Sequence, residues 1–325
     1  MRRRDVIVAL GGAAAWPLAA RAQEPIPVIG FMSGRSLEDS THLVPAFRQG
    51  LAETGFVENQ SVAIEDRWAD GRYERLTQIA DEFVRRKVAV IAAVGGVASA
   101  RAAKEATGTI PIVFSVGADP VRLGLVASLN RPGGNATGVS LLTTQLEGKR
   151  LGLIHEMAPN AALIAVLINP KNPPSADQAR DVQGAARSIN QPLLLLHAST
   201  LEELNAAFVE VVERRPDALL VGGDPFFDTQ RERIIEFAAR QRVPALYQFR
   251  EYAAAGGLMS YGIDLAEAYR LVGLYAGRIL KGEKASELPV MQPTKFELLI
   301  NLKTAKALGL NMPATLLARA DEVIE

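Results

Sequence analysis

Cysteine is absent from the 325-residue chain, and histidine occurs only three times. Without thiols there is no disulfide, no cysteine nucleophile and no site for a lipid anchor after a cleavage point. His42, His155 and His197 are widely spaced, and "HEMAP" at His155 lacks the second histidine of a zinc helix. The three read as surface or strand-end packing, so neither a metal nor a histidine-based catalytic site is expected. Other chemistry is missing too. No G-x-S-x-G occurs, the nearest serine turn being "TGVSLL", and there is no G-x-x-x-x-G-K-[ST] or strand-linked G-x-G-x-x-G. Those gaps leave no serine-hydrolase elbow, phosphate loop or dinucleotide fingerprint, and no organic cofactor is expected. No apolar run reaches the roughly 20 residues that span a bilayer.

The N-terminus is where the sequence first commits itself. "MRRRDVIVALGGAAAWPLAARAQ" sets a basic stretch at Arg2–Arg4 before an apolar run from Val6 to Ala20, then Ala20-Arg21-Ala22 as a small-x-small cleavage site. Residues 1–22 are therefore expected to be an export signal. Its paired arginines fit the twin-arginine route, and the general secretory route stays open. The mature product is expected in the periplasm, unlipidated. The chain has 36 basic and 36 acidic residues, and the signal holds four arginines and one aspartate. What remains is weakly acidic, which favours neither nucleic acid nor an anionic membrane.

About 300 mature residues are too many for one small core and suit two lobes. Short β-branched runs alternate with segments of helical period, the pattern of parallel sheets covered on both faces. Strands are expected at Ile26–Met32, Ser61–Trp68, Val88–Val94, Ile110–Val116 and Ala136–Leu141, then at Ala161–Asn169, Gln191–His197, Ala218–Gly222, Pro244–Tyr247 and Gly257–Tyr261. The fold class is α/β: two doubly wound parallel-sheet lobes joined by a multi-strand hinge. The first lobe is expected over residues 23–143, completed by about 263–290, and the second over 144–262, completed by about 291–325. "LAEAYRLVGLYAGRILKG" reads as a long helix in that returning tail.

In such sheets ligands bind beyond the carboxyl ends of the strands. The loops there are polar and glycine-rich: "SGRS", "GGVAS", "GADP", "NPKNPPS" and "GGDPFF". Any one of them could be an ordinary turn or helix cap; their recurrence at one edge of both lobes marks a cleft. One wall is expected from Ser33, Gly34, Gly95, Gly96, Ser99, Ser115, Gly117 and Asp119, the other from Asn169, Asn172, Gly223, Asp224 and Phe226. Tyr247 and Tyr261, with Phe227, Phe249 and Tyr252, put further aromatic rings at strand ends of the second lobe. Such a cleft suits a small zwitterion, its carboxylate on helix N-termini and its ammonium on a carboxylate.

Four blocks carry a family resemblance: "IPVIGFMSG", "FRQGLAETGFVENQSVAIEDRWADGRYERL", "IPIVFSVGADPVRLGLVASLNRPGGNATGVS" and "FELLINLKTAKALGLNMPATLLARADEVIE". With them the chain resembles the periplasmic substrate-binding proteins of ABC transporters, of the tryptophan/tyrosine type, over essentially the whole mature length. The resemblance implies a type I binding-protein fold with three crossovers, no catalytic residues, and hinge closure on a small-molecule ligand handed to permease subunits, by a protein acting as a monomer. It implies Gly96, Ser99, Ser115 and Asp119 for the polar end of the ligand and Asp224 for an ammonium. The chain departs from better-known members in having Gly96-Val97-Ala98 for Thr-Pro-Ala and Asp224-Pro225 for Asp-Asn. A ligand sensor feeding a membrane receptor, or an enzyme on the same scaffold, are the competing readings. No helix-turn-helix precedes the first strand, which argues against a repressor.

Overall fold

In the computed structural model, residues 26–293 and 295–325 are described; the export signal expected at residues 1–22 lies outside the described residues. Apolar runs, buried on both faces in the central strands and less so at the edges, build two sheets. β1 (Val28–Ser33), β2 (Ala63–Trp68), β3 (Val90–Val94), β4 (Ile112–Val116) and β5 (Ala136–Ser140) make an all-parallel sheet in the order β2-β1-β3-β4-β5. The second sheet contains β6 (Ile164–Ile168), β7 (Leu193–His197), β8 (Ala218–Val221), β9 (Ala245–Tyr247), β10 (Met259–Ile263), β11 (Phe296–Asn301) and β12 (Glu322–Ile324). Its order is β12-β11-β10-β9-β8-β6-β7, and only β10 with β11 is antiparallel. All ten strands read from the sequence are present within three residues. β11 and β12 are additional: "FELLIN" runs straight into the helical "LKTAKAL", so periodicity alone gives no boundary between them.

Helices α1 (Leu43–Glu53), α2 (Glu74–Arg86) and α3 (Val97–Ala106) link the strands of the first lobe. In the second lobe α4 (Glu147–Met157), α5 (Ser175–Ser188), α6 (Leu201–Arg214), α7 (Pro225–Thr229), α8 (Arg231–Arg240) and α9 (Arg250–Ala254) do the same. α10 (Leu265–Leu280) packs on α1 and on β3, β4 and β5, back in the first lobe, while α11 (Leu302–Leu308) and α12 (Ala314–Leu317) finish the second. The chain therefore crosses between lobes after β5, after β10, and between Met291 and β11. Just before the last crossing Met291 still pairs with β5, its N–H donating to Gly138 O at 2.9 Å and its carbonyl accepting from Ser140 N at 2.8 Å.

The return into the first lobe is fixed locally. Asp264 caps α10, its Oδ1 accepting from the N–H groups of Ala266 (2.9 Å) and Glu267 (3.2 Å). α10 then lies directly on α1, glycine against backbone. A Cβ at Gly273 would stand 2.0 Å from Phe47 O, and one at Gly50 would stand 1.8 Å from Arg270 O.

The two lobes are shut against each other. Across the cleft Arg35 meets Asp228 at 2.6 Å, the Tyr73 hydroxyl donates to Asp224 at 2.5 Å, Arg122 meets Asp177 at 3.1 Å and His42 meets Glu251 at 2.8 Å. Between these contacts the Pro225 ring is set against Gly96, where a Cβ would stand 2.8 Å from Pro225 Cγ. Gly96 also has φ +112°, a conformation that costs an L-residue strain.

Two outcomes follow. Gly273→Ala should lower the urea unfolding free energy by about 1–3 kcal/mol, since Phe47 O cannot yield without separating the helices. Gly96→Ala should fold but fail to seat Pro225; its small-angle scattering curve should give a larger radius of gyration than the wild type, and superimposable curves would refute this account of closure.

Candidate functional site

A cavity lies where the carboxyl ends of both sheets face each other. The first lobe gives it Arg35 after β1, Gly95, Gly96 and Val97 after β3, Ser115 and Gly117 after β4, and Leu141 and Thr143 after β5. The second lobe gives Asn172 and Pro174 after β6, Gly223, Asp224, Pro225 and Asp228 after β8, and Gln248 and Phe249 after β9. Leu265 and Tyr269 of α10 close the floor. In this closed arrangement its free space is about 50 Å³, room for about three or four ordered waters. A larger guest requires the lobes to part slightly.

The local turns explain why these side chains point inward. Ser33 ends β1, and its Oγ accepts from Arg35 N at 3.1 Å, which turns the chain and sends the Arg35 side chain into the interface. No side chain caps α3, so the cavity wall at Gly96 and Val97 carries the positive end of that helix. Asp224 caps α7 through Phe226 N (2.9 Å), with Pro225 at the first helical position. One turn further along the same helix stands Asp228.

The two carboxylates differ in what holds them. Asp224 Oδ1 accepts from Asn169 Nδ2 at 2.8 Å as well as from Phe226 N, and Oδ2 accepts from Tyr73. Burial nevertheless pushes its pKa up to about 7, against the pull of those donors. Asp228 is also raised by burial, opposed by the Arg35 guanidinium, and its Oδ1 accepts from the Tyr252 hydroxyl at 3.1 Å. Arg35 and Asp228 are each only 2% exposed, so this ion pair is almost fully desolvated.

A second buried pair supports the crossings. Arg150, on α4, donates from Nε to Tyr261 O (2.9 Å) and from Nη1 to Thr143 O (3.2 Å) and to Glu147 Oε1 (3.0 Å). It thereby ties the first crossing to β10, which leads into the second. Burial raises the Glu147 carboxyl and Arg150 opposes the rise. Gln178 Nε2 (3.1 Å) and Asn172 Nδ2 (3.3 Å) both donate to Gly223 O, holding the cavity wall beside Asp224.

The structure brings seven of the residues expected from sequence to the cavity: Gly95, Gly96, Ser115, Gly117, Asn172, Gly223 and Asp224. Ser33 and Gly34 lie just behind it, Ser33 serving the turn and Gly34 packing against Gly95 O. The others need correction. Ser99 is fully buried in α3, away from the cavity lining. Asp119 does not reach the cavity; its Oδ1 accepts from Val121 N (2.9 Å) and closes a turn. Asn169 and Phe226 line a separate outer recess with Tyr73. Tyr247 is core, its ring stacked on Tyr252 at 4.6 Å, and Tyr261 stacks on Phe296 at 6.1 Å. These two rings point into the packing beneath the sheet edge because apolar area is better buried there. Phe249, one of the strand-end aromatics, does line the cavity, while Arg35, Asp228, Gln248, Leu265 and Tyr269 were not anticipated. Asp228 had a readable signal in its i, i+4 spacing from Asp224, and Arg35 in the quoted "SGRS".

Among the described residues no group of three or more His, Asp or Glu could hold a metal, and no helix is long and apolar enough to cross a membrane. The chain is 29% identical over 264 residues to a tyrosine-binding protein of Clostridioides difficile (strain R20291), spanning 81% of this chain and 75% of that one. It is similar, at TM-score 0.82 and 23% identity over 92% of this chain and 99% of the other, to an ABC domain in complex with L-Trp from Streptococcus pneumonia. Over the same shares, at 26% identity, the TM-score is 0.63 to the ligand-free, open structure of a substrate-binding protein with adhesive properties from Clostridium difficile. The model of one family, of substrate-binding proteins rather than enzymes, matches residues 25–324: the chain belongs to the ABC transporter substrate-binding protein family.

Proposed function

We propose that the protein captures an amino acid in the periplasm by closing its lobes, and delivers it to the permease of an ABC importer. The observation that carries this reading is the cavity itself: both lobes line it, its walls are partly apolar, and a buried carboxylate stands at one end. Val97, Leu141, Phe249, Leu265 and Tyr269 offer surface to an apolar side chain, and Asp224 offers a partner for an ammonium. The relatives support the same ligand class, one being a tyrosine-binding protein and another a complex with L-Trp. The basic-apolar-small pattern of residues 1–22 supports export.

Closure supplies selectivity. Each polar group sealed in the cavity needs a partner, and a guest that leaves one unpaired loses about 1–3 kcal/mol. An ammonium on Asp224 binds the ionised carboxylate, whose pKa burial pushes up to about 7, so at lower pH the free protein must first release a proton.

A thermal-shift screen of the mature protein against the L-amino acids should find at least one that raises Tm by several degrees at about 100-fold excess over Kd. No shift with any of them would end the amino-acid reading. For the amino acid so found, calorimetric titration should show affinity falling as pH drops below about 7, by at most about tenfold per unit, with proton release on binding. Asp224→Asn should bind more weakly and with a flat pH profile.

A further inference from the structure

The unanticipated cation of the cavity, Arg35, is held in an unusual way. Among the described residues only one nitrogen of its side chain is engaged: Nη1 donates to Asp228 Oδ2 at 2.6 Å, from the other lobe. Its Nε is shielded from solvent and has no hydrogen-bond partner among the described residues. A guanidinium N–H in that position costs free energy unless some group comes to it. The side chain is nonetheless well oriented. It runs past Gly95, where a Cβ would stand 3.2 Å from Arg35 Cγ, and its Cζ lies 5.8 Å from the centre of the Phe249 ring. Phe249 and Gly95 both line the same cavity.

We propose that Arg35 is the anchor for the ligand's carboxylate, which takes the Nε–Nη2 edge of the fork while Asp228 keeps Nη1. Resting on the amino-acid reading above, this assigns the remaining end of the zwitterion, and it makes a carboxylate a requirement of binding. The planar fork matches a carboxylate in two parallel hydrogen bonds, which an ammonium on a flexible stem does not. The apolar surroundings strengthen such a bond because water does not compete. The uncapped end of α3, on the same wall, adds to the positive potential there.

Asp228 then has a double role. It fixes the plane of the guanidinium, and it keeps the buried cation neutralised when no guest is present. Because the two residues come from opposite lobes, a carboxylate on Arg35 is also tied, through Asp228, to the closed form.

The test measures binding of L-tyrosine, L-tryptophan and L-leucine against tyramine, tryptamine and isoamylamine, which lack the carboxylate. The wild type should prefer an amino acid to its amine by roughly 100-fold, the worth of a charge-assisted hydrogen-bond pair. Arg35→Gln should reduce that preference to less than about tenfold, and Arg35→Lys should fall between. Arg35→Gln leaves Asp228 buried without its partner, so the double variant Arg35→Gln/Asp228→Asn, with both charges gone, is measured beside it and should show the same loss of preference. If Arg35→Gln and the double variant weaken acid and amine equally, Arg35 is only a strut between lobes and the proposal is wrong. A wild type that binds amines as well as amino acids also overturns it, while leaving an apolar ligand for the cleft. Binding of none of the six probes would instead strike at the amino-acid reading itself.

Discussion

Burial of charge between the lobes is the constraint on which the rest of the structure turns. Parallel sheets direct their carboxyl ends, and the polar loops that follow, to one edge. When two such edges are brought face to face, whatever is charged there leaves water and needs a counterpart on the opposite wall. Arg35 and Asp228 meet that need at 2.6 Å, with Tyr73 and Asp224 beside them. The outer pairs, Arg122 with Asp177 and His42 with Glu251, are more exposed and contribute less. The closed form is therefore held from its centre outward. The cavity lies at that centre, so side chains that hold the lobes together also line it.

Much of this was legible in the sequence. The ten strands announce themselves through β-branched runs of the right length, and the helices through apolar spacing, because parallel sheets bury both faces and leave little ambiguity. The glycine-rich loops after β3, β4 and β8 were equally visible, and they do line the cavity. What stayed hidden depends on partners distant in the chain. Arg35 and Asp228 are 193 residues apart, and nothing local to either says that one faces the other. Tyr247 and Tyr261 look like ligand clamps from their places at strand ends, yet rings on one pleat of a strand go into the core. β11 was missed because an apolar run that flows into a helix has no period change until it is already over.

Small residues do the fitting. Gly50 and Gly273 let α10 lie on α1 with backbones touching, which brings Leu265 and Tyr269 to the cavity floor. Gly96 lets Pro225 approach from the other lobe. The first contact joins two helices of one lobe and the second joins the two lobes, although the chemistry of each is the same absence of a Cβ.

The Arg150 guanidinium, hidden beneath the cleft, reaches the carbonyls of both Thr143 and Tyr261. The segments at the first and second crossings between the halves are thereby riveted side by side. Groups lying far from each other in the chain are accordingly held in one register by a single buried side chain.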